Sequence, residues 1–375
     1  MNTSISLIGQ GQTRFGERWD KSLMDLIEEA VTAAIDSSRI TALEIDAIIV
    51  SNMLGEVTSS QAHLGSLVSA LLPHRPPAIR VESACGSGAY ALHTACAFLE
   101  SGRAKTVLVV GAEKMTDVSI DAIAAGLMGA ADSEEDRPSG LTFPGIFGLI
   151  AARYMHEHGL TREELSLVSA VHHRNAKENL FAQFRNTITP EAVSKSPLVA
   201  DPLRLLDCSP ISDGAAACIL STNHESEFRL AASSIASDAV SITKRPSITS
   251  FPATRDACGR ALKEADITLD DLSCLETHDC FSIAALINLE DLGFAEPGEG
   301  ISLYKDLYDG KKSRFAINAS GGLKGCGHPV AATGIKQVND LAKQLTEREE
   351  RWGMTHNFGG ACASCGIHIL ERMHD

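Results

Sequence analysis

The chain has 375 residues, which is too long for one ordinary domain and long enough for two sizeable cores. Hydrophobic residues make up 44% and charged residues 22%, the balance of a soluble globular protein. The formal net charge of −15 argues against nucleic acid or an anionic membrane as the main partner, and no apolar run approaches the ~20 residues that span a bilayer.

Short apolar runs alternate with amphipathic stretches along the chain. The runs predict strands over residues 5–9, 47–50, 106–110, 216–220, 272–277, 314–317 and 367–370. The amphipathic stretches predict helices over residues 23–36, 89–101, 148–158, 162–178, 255–265 and 333–345. This alternation predicts an α/β fold. The Gly-x-Gly at 9–11 is not followed by a glycine-bounded helix start, so no dinucleotide site is expected there.

The chain also repeats part of its own pattern. Segment 40–52 resembles segment 267–279, which lies 227 positions further on, and an Ala-rich amphipathic helix precedes each. The strand ending at Val81 corresponds in the same way to the strand ending at Ile317. Two diverged copies of one α/β unit are predicted, with chance similarity of short apolar strands as the alternative.

A region of different composition separates the copies. Residues 116–204 carry Met, Gly, Pro and charge clusters and are interpreted as an insertion that contacts substrate. The predicted organisation is therefore an N-terminal half (1–115 and 205–225), an inserted loop domain (116–204) and a C-terminal half (226–375).

The ten cysteines in a chain of this length do not indicate a small disulfide-rich domain. Several lie in apolar runs, where a small buried side chain is expected. We therefore expect a reducing compartment. The first residues show no basic leader followed by an apolar stretch, and the last three are not a peroxisomal address, so the expected location is the cytoplasm.

Cys85 is the first candidate nucleophile. It lies in the segment Glu-Ser-Ala-Cys-Gly-Ser-Gly at 82–88, where a short strand leads into a Gly/Ser turn and an Ala-rich helix. Unpaired backbone N–H groups at a helix N-terminus favour a thiolate, and the glycines leave room for an acyl chain. A buried structural cysteine is the alternative, because a nucleophile also needs a base.

Two further segments supply possible partners for Cys85. His328 lies in a Gly-rich turn that opens a helix, where it is a candidate base, with a structural cap as the alternative. His278 and Cys280 follow a predicted strand, the place where α/β proteins put ligand-facing groups. For this segment the alternative is a structural pair of His278 with Asp279 beside a buried Cys280.

The remaining clusters of Cys and His are weaker signals. Cys362 and Cys365 form a single CxxC pair, so zinc is not expected and a redox role is weak. His156, His158 and the pair at 172–173 fall on polar, helix-like stretches and are interpreted as solvated faces. No metal site is expected.

The motifs taken together resemble the thiolase superfamily. The segments ESACGSG, HDCF, SGGLKGCGHP with ATG after it, and HNFGG stand in the family's order, and similarity extends through VVGAEKMTD, TFPG, ARYMHEHGL, AQFR and DPLRLLDCSPISDGAAA. The HDCF form and the inserted segment are similar to the sterol-carrier-protein type and to archaeal acetyl-CoA acetyltransferases. The resemblance covers nearly the whole chain.

The resemblance implies a duplicated five-layer αβαβα thiolase fold with an inserted loop domain, assembled as a homodimer or homotetramer. It implies that Cys85 is the acylated nucleophile, that His328 activates it, and that Cys280 moves the proton of the second substrate. His278 and His328 would hold one thioester oxyanion. The backbone N–H groups of Cys85 and Gly359 would form the other oxyanion hole.

The resemblance also suggests where substrate binds and where this chain departs from the family. Substrate contacts are expected at Phe143, Pro144, Gly145, Ser320 and Gly321. Many thiolases place the acid/base cysteine in a C-terminal Cys-x-Gly; here that stretch reads Asn-Phe-Gly, so Cys280 is preferred and Cys362 is the reserve. Ala331 replaces a usual glycine, and the loop GGACASCG is bulky, so a narrower space near the thioester is predicted. Candidate contacts to the phosphates of coenzyme A are Arg174, Lys177 and Arg185.

The predicted activity is that of an acetyl-CoA C-acyltransferase of lipid metabolism that makes or cleaves a 3-ketoacyl-CoA such as acetoacetyl-CoA. One cysteine cannot be acyl carrier and base at once, so two cysteines are needed. Coenzyme A is expected only as substrate and product, without another cofactor. The alternatives are a thiolase-like enzyme with a biosynthetic acceptor and a non-catalytic CoA-binding subunit. A small acyl-CoA-channelling partner protein is also considered.

Overall fold

A computed structural model describes residues 4–311 and 313–373. Its strands are β1 (Ser6–Gln12), β2 (Ala47–Ser51), β3 (Ala78–Val81), β4 (Thr106–Glu113), β5 (Leu198–Ala200), β6 (Leu203–Arg204), β7 (Gly214–Ser221), β8 (Phe228–Ser237), β9 (Cys274–Glu276), β10 (Ala316–Ile317), β11 (Trp352–Gly359) and β12 (Ser364–Arg372). Its helices are α1 (Leu23–Ser37), α2 (Gly55–Thr58), α3 (Leu64–Ser69), α4 (Ser87–Glu100), α5 (Ile120–Leu127), α6 (Phe143–His158), α7 (Arg162–Ala176), α8 (Pro190–Ser194), α9 (Pro252–Ala265), α10 (Ser282–Asp291), α11 (Gly300–Tyr308), α12 (Gly322–Cys326) and α13 (Thr333–Arg348).

The order of the strands shows the internal repeat. The large sheet runs β10-β9-β11-β12-β8-β1-β7-β4-β2-β3, so its two ends mirror each other strand by strand about the β8–β1 contact. A 3-10 turn precedes the second strand of each half, Ala42–Glu44 before β2 and Leu269–Asp271 before β9, and each turn opens with a threonine capping box. The predicted duplication of one α/β unit is confirmed.

The helices complete a five-layer arrangement. Helices α4 and α13 contact strands of both halves and lie between them, α1 and α3 cover the outside of the first half, and α9 covers β8 and β12. A Cβ at Gly88 would lie 2.9 Å from the backbone nitrogen of Gly334, and a Cβ at Gly334 would lie 2.5 Å from the nitrogen of Ala89. The two central helices therefore touch backbone to backbone, and this contact brings the turns before them together.

Several elements differ from the sequence prediction. Strand β1 extends to Gln12, beyond its predicted end at residue 9. Glycine is needed within it because α1 packs so closely that a Cβ at Gly11 would lie 2.2 Å from the carbonyl oxygen of Ala30. Strands β8 and β11 and helices α10 and α11 were not predicted. Helix α6 begins at Phe143 rather than at 148.

Residues 116–204 contain α5 to α8 and the β5–β6 pair. The exact boundaries of the three predicted segments stay a prediction. Every helix among the described residues is too short or too polar to serve as a membrane span.

Candidate active site

Cys85 lies in a tight turn between β3 and α4. Ala84 has a φ of +50°, in the left-handed region that residues with a side chain adopt at a cost. The backbone N–H of Ser83 donates to the hydroxyl of Ser87 over 2.8 Å, which holds the turn closed. Cys85 thereby lines a cavity of about 1360 Å³, together with Cys280 and His328.

Three distant segments meet at this cavity. The sulfur of Cys85, one ring nitrogen of His278 and one ring nitrogen of His328 all lie within 4.8 Å of one another. The two imidazole rings meet edge to face, with centroids 4.9 Å apart. Burial and then the neighbouring Cys85 raise the pKa of the Cys280 thiol well above its usual value. All four predicted catalytic side chains are thus brought together.

The hydrogen bonds of His328 determine which of its nitrogens carries the proton. Its Nδ1 lies 2.7 Å from the hydroxyl oxygen of Thr333, and that hydroxyl donates to the carbonyl of Pro329 over 3.2 Å. Since a hydroxyl has one proton, its oxygen accepts from Nδ1–H of the ring. Nε2, which has no hydrogen-bond partner among the described residues, then carries a lone pair. This is the protonation state of a general base.

His278 has the opposite arrangement. The side-chain amide of Asn357 donates to its Nδ1 over 2.8 Å. Because an amide NH₂ only donates, the proton of the neutral ring lies on Nε2. Within the described part of the chain Nε2–H has no acceptor, although His278 is fully buried and is not among the described residues that line the cavity. The two histidines are therefore set up as one acceptor and one donor.

Burial controls the charge of the site. It raises the pKa of Cys85 to about 12, because the effect of burial exceeds the opposite effect of the Gly360 backbone. Burial also lowers the pKa of His328 to about 4 and that of His278 well below its usual value. At neutral pH the site holds a thiol and two neutral imidazoles. Burial therefore opposes the preference for a thiolate that is expected of the helix N-terminus.

Asp279 organises the segment that carries His328. Burial alone would raise its pKa, but His172 at 2.7 Å and the backbone N–H groups of Leu323 and Lys324, at 2.7 and 3.1 Å, hold it below the usual value. Asp279 thus ties β9 to α12. The structural pairing with His278 considered from the sequence is not present.

The interpretation of residues 172–173 as a solvated face is wrong. His172 and His173 are buried, 0% and 2% exposed, because α7 packs against α11 and α12. Close packing at Gly325, where a Cβ would lie 3.0 Å from the carbonyl of His172, brings these helices together. No signal in the polar-looking sequence of α7 marked this face as buried.

The predicted substrate contacts divide into two groups. Phe143 and Pro144 line the cavity, whereas Gly145 is not among the described residues that line it. Ser320 and Gly321 are also not among them: the hydroxyl of Ser320 donates to Glu276 over 2.7 Å, and Gly321 packs on Ala176. Direct substrate contact at Ser320 and Gly321 gains no support from this geometry.

Gly359 closes the back of the Cys85 turn. A Cβ there would lie 2.3 Å from the carbonyl oxygen of Ser83, so only glycine fits. Gly360, one residue further on, lines the cavity, and its backbone lowers the pKa of Cys85 in opposition to burial. The oxyanion hole at Cys85 and Gly359 stays a prediction, with Gly360 as an additional candidate.

Cys362 lies away from the cavity. Its sulfur is 3.3 Å from the hydroxyl of Thr254 and clusters with His356 and Cys365, all 0% exposed. The role of Cys362 as reserve acid/base gains no support from this position. Ala331 is likewise not among the described lining residues, so nothing supports the predicted narrowing there.

Some cavity residues were not found from the sequence. Among these are Lys324, Cys208, Phe184, Arg14 and Arg18. The suggested phosphate contacts at 174, 177 and 185 are not among the described residues that line the cavity. Only the Gly-rich motif around Lys324 offered a signal, and in that motif His328 was the residue predicted to be functional.

Comparisons with known proteins place this geometry in context. Residues 5–224 match the family model "Thiolase, N-terminal domain" and residues 234–372 match "Thiolase C-terminal domain-like". The chain is 41% identical to acetyl-CoA acetyltransferase of Methanothermobacter thermautotrophicus, over 98% of this chain and 99% of that protein. It is 29% identical to human sterol carrier protein 2, over 91% of this chain and 66% of that protein. The solved structure of the Ltp2-ChsH2(DUF35) aldolase has the same fold, with a TM-score of 0.83 and 21% identity over 99% and 98% of the two chains.

Proposed function

Because this chain belongs to the thiolase family, we propose that it is an acetyl-CoA C-acyltransferase. It makes or cleaves a 3-ketoacyl-CoA, such as acetoacetyl-CoA, by ping-pong transfer of the acyl group through Cys85. The observation that carries this proposal is the meeting of the Cys85 sulfur with ring nitrogens of His278 and His328, within 4.8 Å, at an open cavity.

In the first half-reaction the lone pair on Nε2 of His328 takes the Cys85 proton as the sulfur attacks the thioester carbon. The carbon–sulfur bond to coenzyme A breaks and a new thioester forms on Cys85. Cys280 gives its proton to the departing thiolate of coenzyme A and becomes a thiolate, while His328 keeps the proton of Cys85. A neutral thiol beside a neutral imidazole suits this step, because attack and proton transfer take place together. Backbone N–H groups at Cys85, Gly359 and Gly360 are the candidates to stabilise the oxyanion.

In the second half-reaction the Cys280 thiolate removes the α-proton of the incoming acetyl-CoA. The resulting carbanion attacks the acyl carbon on Cys85, the carbon–sulfur bond to Cys85 breaks, and the released Cys85 thiolate regains its proton from His328. Nε2–H of His278 donates to the enolate oxygen, a contact whose loss typically costs ~3 kcal/mol. A charged Cys85 would raise the pKa of the Cys280 thiol, so Cys280 becomes a thiolate only while Cys85 is held as a neutral thioester. Coenzyme A is substrate and product, and we propose no other cofactor.

The proposed assembly is a homodimer or homotetramer. The edge strand β3 leaves Ile79 45% exposed, as expected for an edge that a second copy covers in a homodimer or homotetramer. One solved neighbour, the Ltp2-ChsH2(DUF35) aldolase, is named for two components, Ltp2 and ChsH2, which supports a small partner protein here too. A cytoplasmic location remains a proposal.

Mass spectrometry tests the acyl-enzyme directly. Incubation with acetyl-CoA should add one acetyl group to Cys85, and Cys85→Ser should abolish the adduct. Cys96→Ser, at a buried position in α4 outside the cavity lining, is the matched control and should acetylate normally. A folded wild-type protein whose Cys85 stays unmodified would contradict the proposal.

A second candidate keeps the Cys85 acyl carrier and changes the acceptor. It is favoured by the apolar lining of the cavity, which includes Phe147 and Phe281 close to Cys280. Thiolysis of acetoacetyl-CoA by coenzyme A at rates of about 1 s⁻¹ or more, on the order of typical enzyme turnover, would decide for the first candidate. Such turnover by the isolated chain would also rule out a non-catalytic subunit.

A further inference from the structure

Lys324 is a buried cation in the substrate cavity. Its side chain is 4% exposed and lines the cavity together with Cys85, Cys280 and His328. Its ammonium group donates to the carbonyl oxygen of Cys208 over 2.9 Å. Among residues 4–311 and 313–373, no carboxylate oxygen lies within 4.0 Å of it. An ammonium has three N–H donors, so two remain for a ligand.

The position of this ammonium is fixed by the active-site framework. The backbone N–H of Lys324 donates to Asp279 over 3.1 Å, and Asp279 directly precedes Cys280. The ammonium also lies 5.4 Å from the centre of the Phe184 ring. Lys324 therefore projects from the short helix α12, four residues before His328, and its backbone is held by Asp279.

The positive charge of Lys324 is energetically unfavourable at this buried position. Burial lowers the pKa of Lys324 to about 8, even though Cys208, Asp207 and Asp279 act in the opposite direction. A buried ammonium without an adjacent carboxylate destabilises a fold, and an apolar side chain would fill the same space at lower cost. Such a group is expected where a ligand supplies the missing negative charge.

We propose that Lys324 is a substrate-binding residue that pairs with a carboxylate at the free end of the acyl group. The enzyme would then prefer thioesters of short dicarboxylic acids over neutral acyl-CoA of equal length. This proposal rests on the proposed acyltransferase function and specifies its substrate class.

The location of Lys324 favours the acyl group over the phosphates of coenzyme A. The ammonium of Lys324 contacts the carbonyl of Cys208, and the next residue, Ser209, donates its backbone N–H to the carbonyl of Cys280 over 2.8 Å. The ammonium thus lies beside the segment where the acyl group reacts, whereas the phosphates lie at the far end of the pantetheine arm. Arg14 and Arg18 also line the cavity, and Arg14 is exposed, as a contact to an outlying phosphate requires.

The test compares glutaryl-CoA with hexanoyl-CoA and succinyl-CoA with pentanoyl-CoA, pairs of similar length that differ in the terminal carboxylate. Acylation of Cys85 is followed by mass spectrometry in the wild type, Lys324→Met and Lys324→Arg. In Lys324→Met the rate with the anionic substrates should fall about tenfold or more, the worth of a charge-assisted hydrogen bond, with less than about twofold change for the neutral ones. Lys324→Arg should retain the preference, and Lys343→Met, an exposed lysine, should behave as wild type.

The pH dependence of the substrate preference is an independent test of the role of Lys324. The wild-type preference for the anionic substrates should weaken as pH rises through about 8, where Lys324 loses its proton. In Lys324→Arg the preference should persist above that pH, because the guanidinium stays charged.

Binding of non-transferable thioether analogues, measured by calorimetry, separates this inference from the proposed function. Tighter binding of the glutaryl than the hexanoyl analogue, lost in Lys324→Met, supports the carboxylate site even if no acylation occurs. Equal binding of both analogues by the wild type overturns it. An equal loss of affinity for every CoA ligand in Lys324→Met also overturns it, since Lys324 would then bind a phosphate.

Discussion

Nδ1 of His328 lies 2.7 Å from the hydroxyl of Thr333, whose own proton is directed to the carbonyl of Pro329. This relay leaves the lone pair of the imidazole on Nε2, the nitrogen without a partner among the described residues. The tautomer of the candidate base therefore depends on a side chain that does not touch the sulfur.

Replacing Thr333 by Val should slow acetylation of Cys85 roughly tenfold to a hundredfold, part of what general-base catalysis contributes. The reason is that Nδ1–H loses its acceptor and both tautomers become populated. Single-turnover mass spectrometry gives the rate. Thr333→Ser keeps the hydroxyl and is the matched control; equal rates for Val and Ser at this position would show that the relay is irrelevant.

Replacing Asn357 by Asp should uncouple the two half-reactions. An aspartate accepts rather than donates, so it draws the proton of His278 to Nδ1 and removes the donor at Nε2. Condensation should fall about a hundredfold, on the order of one lost oxyanion donor, while acetylation of Cys85 changes far less. Burst amplitude and steady-state rate, measured in one assay, separate the effects. A parallel loss of both would contradict the assignment of His278 to the second step.

The raised pKa of Cys85 predicts the pH dependence of its alkylation. A thiol with a pKa of about 12 is neutral at lower pH, so the thiolate fraction grows about tenfold per pH unit up to that value. Alkylation by iodoacetamide, followed at Cys85 by mass spectrometry, should rise steadily from about pH 6 to about pH 9. A plateau with a midpoint below about 7 would reveal a thiolate–imidazolium pair instead.

Replacing Gly334 by Ala should destabilise the protein by about 1–3 kcal/mol, the usual cost of overpacking. The added Cβ would lie 2.5 Å from the backbone nitrogen of Ala89 and would push α4 and α13 apart. Urea unfolding gives the free energy, and Cys85 acetylation shows whether the site has opened.

Gly259→Ala in α9 is the matched control for that substitution. Among the described residues its Cβ meets nothing within 4 Å, so the free energy of unfolding should stay equal or rise slightly, as alanine favours a helix. Equal effects at positions 334 and 259 would contradict the close helix contact.

The fold and the four reactive side chains were predictable from the sequence. Local patterns show most of it: apolar runs of strand length, two similar segments 227 positions apart, and Gly-rich turns before α4 and α13. The order of the motifs is particular to one family. The structure confirmed the duplicated αβαβα fold and brought Cys85, Cys280 and His328 to one cavity, with His278 buried beside Cys85 and His328. The roles of these residues stay predictions.

The electrostatics of the site were decided by tertiary contacts alone. Asn357 reaches His278 from 79 residues away, His172 rather than His278 meets Asp279, and Lys324 lies buried beside the carbonyl of Cys208. Burial raises the pKa of the Cys85 thiol, against the effect of the helix N-terminus on which it lies. Local sequence specifies turns and helix starts, because they involve neighbouring atoms. Protonation depends on solvent exclusion and on donors from remote segments, which only the folded chain assembles.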